Sequence, residues 1–166
     1  SDLNGFELTK YSGNVIKMIN KSKFLAICVT NQPVIARGEC SPEQLERIHN
    51  KMESDLGSLG SYLDHIYYCP HHPDSGFKGE VKELKINCNC RKPKPGMLIN
   101  AQEDFNLNIE DCWLIGDSEF DIGAAQNAGC KSILIGDKYD KSKIKYEPTV
   151  IKKNIFDAVR HILHSD

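Results

Sequence analysis

The chain has 166 residues, 40% of them hydrophobic, with 21 basic against 23 acidic side chains and a formal charge of -2. This length supports a proper hydrophobic core, and the near balance of charge excludes an electrostatic bias toward nucleic acid or an anionic membrane surface. Seven cysteines are an odd count with no secretory leader in view, and no apolar run approaches the roughly 18 residues of a spanning helix, so reduced thiols in a cytoplasmic setting are expected.

Phe24 to Thr30 (FLAICVT) is a short apolar run of the kind that forms a strand buried on both faces. Ser41 can cap a helix opened by Pro42, with Gln44 closing a capping box, and Leu45, Ile48, Met52 and Leu56 then trace one apolar stripe. Gly57 to Ser61 reads as a surface loop, Ile66 to Cys69 (IYYC) as a second strand, and Pro73 to Lys82 as a surface arm. Met97, Ala101 and Phe105 share a helical face, and Cys112 to Ile115 (CWLI) is a third strand. A short helix is expected from Asp121 to Ala128, stopped by Gly129, then a strand at Ser132 to Ile135 (SILI) and a last helix burying Ile155, Val159 and Ile162. Strands alternating with helices imply an α/β fold, a Rossmann-like parallel sheet with helices on both faces, in a single domain spanning residues 1–166.

Two donor pairs stand out, Cys69-Pro70-His71 and Cys88-Asn89-Cys90. In an extended segment residues i and i+2 point to the same side, so each pair can aim two donors at one ion. Three thiolates and an imidazole fill the coordination of zinc with no open position, the pattern of a structural site that staples the intervening loop. The bland reading is a set of reduced, buried cysteines beside a surface histidine. His72 alternates to the opposite face and is expected to be a bystander, unless a turn at Pro70 exchanges it with His71. Cys28, Cys40, Cys112 and Cys130 have no matching donors nearby and read as packing residues or inert thiols.

In parallel sheets ligands gather outside the carboxyl ends of the strands, and the remaining polar candidates fall there. Thr30 and Asn31 end one strand, with a hydroxyl and exposed amides suited to phosphate oxygens. Arg91 and Lys92 follow the zinc loop, offering a planar fork and a point charge. Asp117 follows Gly116 at a strand terminus, from which a carboxylate can reach magnesium bridging to phosphate, and Asp121 would orient it or cap the next helix. Singly, each of these is a turn, a solvated face or an N-cap; their joint placement favours a phosphate site.

The segments VTNQPVIARGE (Val29 to Glu39), YYCPHHPDSGF (Tyr67 to Phe77), CNCRKPKPGM (Cys88 to Met97) and IGDSEFDIGAAQNAG (Ile115 to Gly129) resemble, in order, the haloacid-dehalogenase-like phosphatases of the heptose 1,7-bisphosphate 7-phosphatase branch, which is related to histidinol phosphatases. The resemblance implies hydrolysis of a sugar phosphate through an aspartyl-phosphate, with magnesium screening charge, on the route to nucleotide-activated heptose for bacterial lipopolysaccharide. It gives Thr30 a phosphate-binding role, Lys92 phosphoryl stabilisation, Arg91 substrate recognition, Asp117 a magnesium ligand, and Cys69, His71, Cys88 and Cys90 the zinc. Ser118 stands where relatives often carry a lysine, which affects one substrate contact.

The family's Asp-x-Asp-Gly-Thr segment, source of nucleophile and general acid, does not occur in the 166 residues. Ser1 to Gly13 resembles the stretch just after it, so about 20 residues and a first strand are expected to be missing. The chain would then be a fragment of a longer polypeptide, some relatives being joined to a sugar nucleotidyltransferase, or would be completed by a partner. As it stands it would be inactive or nearly so. Two other readings remain, a histidinol-phosphate phosphatase and a non-catalytic, zinc-stabilised module that binds sugar phosphates or a partner subunit.

Overall fold

A computed structural model describes residues 10–31, 41–71, 88–136, 142 and 145–165. The chain forms two compact units, Ser1–Cys88 and Asn89–Asp166.

In the first unit, α1 (Lys10–Asn20), β1 (Ile27–Asn31), α2 (Pro42–Ser58) and β2 (His65–Cys69) follow in order. β1 and β2 are parallel, with Ile27 opposite His65 and Asn31 opposite Cys69, so both strands deliver their carboxyl ends to one edge. The capping box of α2 is formed: the Ser41 hydroxyl accepts from the Gln44 amide at 3.1 Å, and Gln44 Oε1 accepts from the Ser41 amide at 2.8 Å. Leu45, Met52 and Leu56 are buried, while Ile48 is half-buried at the margin of the stripe.

Three differences from the sequence reading appear here. α1 has no counterpart among the expected elements. It buries Val15, and the Leu59 side chain packs against the bare backbone of Gly13, where a Cβ would have to displace it. Gly57 and Ser58 continue α2, Leu59 and Gly60 form an exposed turn, and Ser61 is buried with its hydroxyl donating to the Gly13 carbonyl at 2.6 Å, so the surface loop expected over Gly57 to Ser61 shrinks to that turn. β1 is half-buried throughout and His65 and Tyr68 of β2 are exposed, so neither strand is covered on both faces. The run in β2 is aromatic, and tyrosine carries a polar tip that tolerates a surface position.

The second unit contains α3 (Gly96–Phe105), β3 (Trp113–Gly116), α4 (Glu119–Ala128), β4 (Lys131–Ile135), β5 (Val150–Lys152) and α5 (Ile155–Leu163). Its sheet runs β3-β4-β5, all parallel, and α4 and α5 pack on it. Ile122, Ala124, Ala125, Ile133 and Ala158 are inaccessible to solvent, giving this unit a dry centre. Three-residue β5 is too short to leave a periodic signature, and long-range bonds place its entry: the Ser132 amide donates to Thr149 Oγ1 at 3.0 Å and the Thr149 amide to Ser132 Oγ at 3.3 Å. These bonds also satisfy buried Ser132. α4 begins at Glu119 rather than Asp121, because Ser118 is its N-cap; it ends as expected at Gly129, whose φ of 82° suits glycine.

Candidate active site and metal centre

Residues 89–96 form a loop closed at its base, where the Gly96 amide donates to the Asn89 carbonyl at 2.9 Å and, inside it, the Lys94 amide to the Arg91 carbonyl at 2.9 Å. A Cβ on Gly96 would sit 2.7 Å from the Asn89 carbonyl carbon, so this closure needs glycine. The Lys92-Pro93 peptide is cis. From this loop the Lys92 ammonium reaches the Asp121 Oδ1 in a largely buried ion pair, the side chains being 14% and 10% exposed.

The other Asp121 oxygen is also used. Oδ2 accepts from the Ser118 hydroxyl at 3.1 Å and from the Ser118 amide at 3.4 Å, while Ser118 Oγ caps the Asp121 amide at 3.4 Å. A carboxylate buried to 7% exposure is thereby compensated by a cation, a hydroxyl, an amide and the positive end of α4. Gly116 makes this possible, since any Cβ there would overlap the Asp121 side chain. Asp117, between Gly116 and the cap, is exposed at the exit of β3. One short stretch of chain therefore holds an exposed carboxylate next to a buried one that grips a lysine.

Arg91 is half-buried in the same loop. Thr30 and Asn31 lie in the first unit at the end of β1, with Thr30 Oγ1 donating to the Asn31 carbonyl at 3.4 Å and Asn31 level with Cys69. Ser118 and Gly116 were missed as site residues. The signal for Ser118 was the Ser-x-x-Asp capping pattern, legible in the sequence; nothing local signalled the room that Asp121 demands of Gly116.

Cys69, His71, Cys88 and Cys90 converge, their ligand atoms all lying within 4.8 Å of one another. Cys69 Sγ is 3.3 Å from Cys88 Sγ and 3.7 Å from His71 Nδ1. A tetrahedral ion with arms of about 2.3 Å to sulfur has edges of about 3.8 Å, so the donors fit such an ion with small adjustments. Cys69 is buried and the other three are half-buried. The cluster could hold a metal ion. His72, Cys40 and the arm from Pro73 to Lys82 lie outside the described residues.

Cys112 and Cys130 stand apart from this cluster. Burial first, then the neighbouring Cys112, pushes the Cys130 thiol up to about 12, and burial raises Cys112 as well, which favours the protonated thiol at both. No helix among the described residues is long and apolar enough to cross a membrane.

The HAD-hydrolase-like family model matches residues 89–158. The D-glycero-beta-D-manno-heptose-1,7-bisphosphate 7-phosphatase of Yersinia pestis is 36% identical over 80% of this chain and 70% of its own length. The chain belongs to the haloacid-dehalogenase-like hydrolases, in the branch of the heptose-bisphosphate phosphatases. The alpha-anomer enzyme of Burkholderia mallei is 34% identical over 82% of the chain and 70% of its own length. A crystal structure of the D,D-heptose 1,7-bisphosphate phosphatase from B. bronchiseptica, complexed with magnesium and phosphate, superimposes with a TM-score of 0.76 at 28% identity, covering 93% of this chain and 83% of that one. The haloacid-dehalogenase-like family thus makes sense of a Gly-Asp-Ser-x-x-Asp segment at a strand exit facing a lysine-bearing loop.

Proposed function

We propose that this chain supplies the phosphate- and magnesium-binding part of a phosphomonoesterase that removes the 7-phosphate of D-glycero-D-manno-heptose 1,7-bisphosphate in the cytoplasm. The observation that carries the reading is the Lys92–Asp121 pair beside exposed Asp117, in a family whose relatives bear that activity in their names.

Lys92 supplies the positive charge that a transferring phosphoryl group needs, and Asp121 holds its ammonium in place, so orientation is provided before substrate arrives. Asp117 would hold magnesium, which when bound neutralises charge between the phosphoryl oxygens and nearby carboxylates. Exposed Asp117 and the amides at the start of α4 suit that position. The Thr30 hydroxyl and the Asn31 backbone amide would donate to phosphate oxygens, and Arg91 would recognise the rest of the sugar. The attacking carboxylate of an Asp-x-Asp segment is not among the 166 residues, so turnover depends on that segment being supplied. Zinc at Cys69, His71, Cys88 and Cys90 is part of the proposal, as a structural ion without a step of its own.

The test is phosphate release from both anomers of heptose 1,7-bisphosphate and from histidinol phosphate, with magnesium, by polypeptides with and without the residues encoded upstream. Release from a heptose bisphosphate, lost in Lys92→Ala and Asp117→Asn and reduced in Thr30→Ala, is expected of the extended polypeptide. Preference for histidinol phosphate, or turnover indifferent to Lys92, would overturn the assignment.

A further inference from the structure

Asn127 takes no part in the chemistry described above, yet its side chain is committed. Nδ2 donates to the Pro93 carbonyl at 2.9 Å, 34 residues away, from an exposed position on α4. A carbonyl can only accept, so the amide orientation follows from the partner. Gly123, four residues earlier and therefore on the same helical face, meets Pro93 as well. A Cβ on Gly123 would lie 2.7 Å from Pro93 Cβ and 2.6 Å from Tyr146 Cε2, so the proline and the tyrosine ring press on the bare helix backbone. Asp121, at the first turn, takes the Lys92 ammonium.

One turn of chain is thus fastened to one helix at three places. A single ion pair fixes the ammonium of a flexible side chain and leaves the backbone free to swivel beneath it. Packing at Gly123 and a hydrogen bond at Asn127 remove that freedom. An exposed hydrogen bond adds little to global stability, so its consequence is directional.

We propose that Asn127 is a positioning residue: by clamping the Pro93 carbonyl against α4, it fixes the backbone from which Lys92 reaches Asp121 and an incoming phosphoryl oxygen. The second half of that statement rests on the phosphatase reading; the first does not.

The experiment compares the full chain with Asn127→Ala and Asn127→Asp. Asp keeps the size of the side chain but turns an oxygen toward a carbonyl, so it separates donation from packing. Hydrogen exchange of the Lys94 and Gly96 amides, whose bonds hold the loop, should accelerate about three- to tenfold in Asn127→Ala and at least as much in Asn127→Asp. The amides of Ile122 and Ala125 should keep wild-type rates. Unchanged loop amides in both variants, or equal acceleration along α4, would overturn the clamp.

Titration with inorganic phosphate and magnesium then separates the two ideas. Weaker phosphate binding in both Asn127 variants, in the same direction as Lys92→Ala, supports the role. Binding lost in Lys92→Ala but untouched in both Asn127 variants overturns the positioning role and spares the phosphatase reading. Binding untouched in Lys92→Ala overturns that reading, while the exchange data still decide the clamp.

Discussion

The corner around Asp121 and the cluster around Cys69 are both dense in polar side chains, but they are closed differently. Each Asp121 oxygen has a partner from the chain itself, Lys92 on one side and Ser118 on the other. Cys69, His71, Cys88 and Cys90 instead bring three thiols and an imidazole within 4.8 Å of one another, a donor set of the kind that ligates a metal ion. The first arrangement is complete as folded; the second could hold a metal ion.

The strongest way to break this comparison is at the metal cluster. One equivalent of zinc per chain is expected by elemental analysis, and strong chelation or Cys69→Ser should lower stability by several kcal/mol, since binding energy at such sites is folding energy. Retention of a full, cooperative melt without metal would show that the fold does not depend on an ion at the cluster. At the other corner, Asp121→Asn should cost about 3 kcal/mol by leaving the Lys92 ammonium half-stranded in a largely buried site. Urea denaturation measures it, and a change below about 0.5 kcal/mol would mean that the pair behaves as a surface ion pair.

Smaller effects sharpen the picture. Gly116→Ala should lose about 2 kcal/mol in the same assay by forcing Asp121 out of its place, whereas alanine at exposed Gly57, where nothing lies within 4 Å, should not destabilise. Ser118→Ala removes both the cap of α4 and a donor to Asp121 and should cost about 1 kcal/mol. The smallest change concerns His49, whose pKa is lowered by burial against an opposing pull from Glu53. The unfolded chain then binds that proton more tightly, so the stabilisation is complete above an ordinary histidine pKa of about 6.5 and declines as pH falls below it. His49→Gln should flatten the fall in melting temperature across that window; an unchanged slope would assign the loss to other groups.

Much of this was legible before any coordinates. The paired donors lie two residues apart, the Ser41 box three apart, the Gly129 stop one residue beyond its helix, and each is a short-range spacing that residue types announce. The strand ends that carry Thr30, Cys69 and Gly116 follow from apolar runs of ordinary length. Less visible were α1, whose burial depends on Leu59 and Ser61, and the true start of α4, where Ser118 was weighed as a departure from relatives instead of as a cap.

Residue identity and local spacing by themselves determined the alternation of strand and helix, the four donors for a metal, and the candidates Lys92, Asp117 and Asp121. Tertiary structure alone decided that Lys92 belongs to Asp121, that Gly116 must be bare, and that Asn127 reaches Pro93. Those pairings join residues about thirty apart or depend on how closely two backbones approach, and such distances are set by the packing of α4 against its sheet and loop rather than by any property of neighbouring residues.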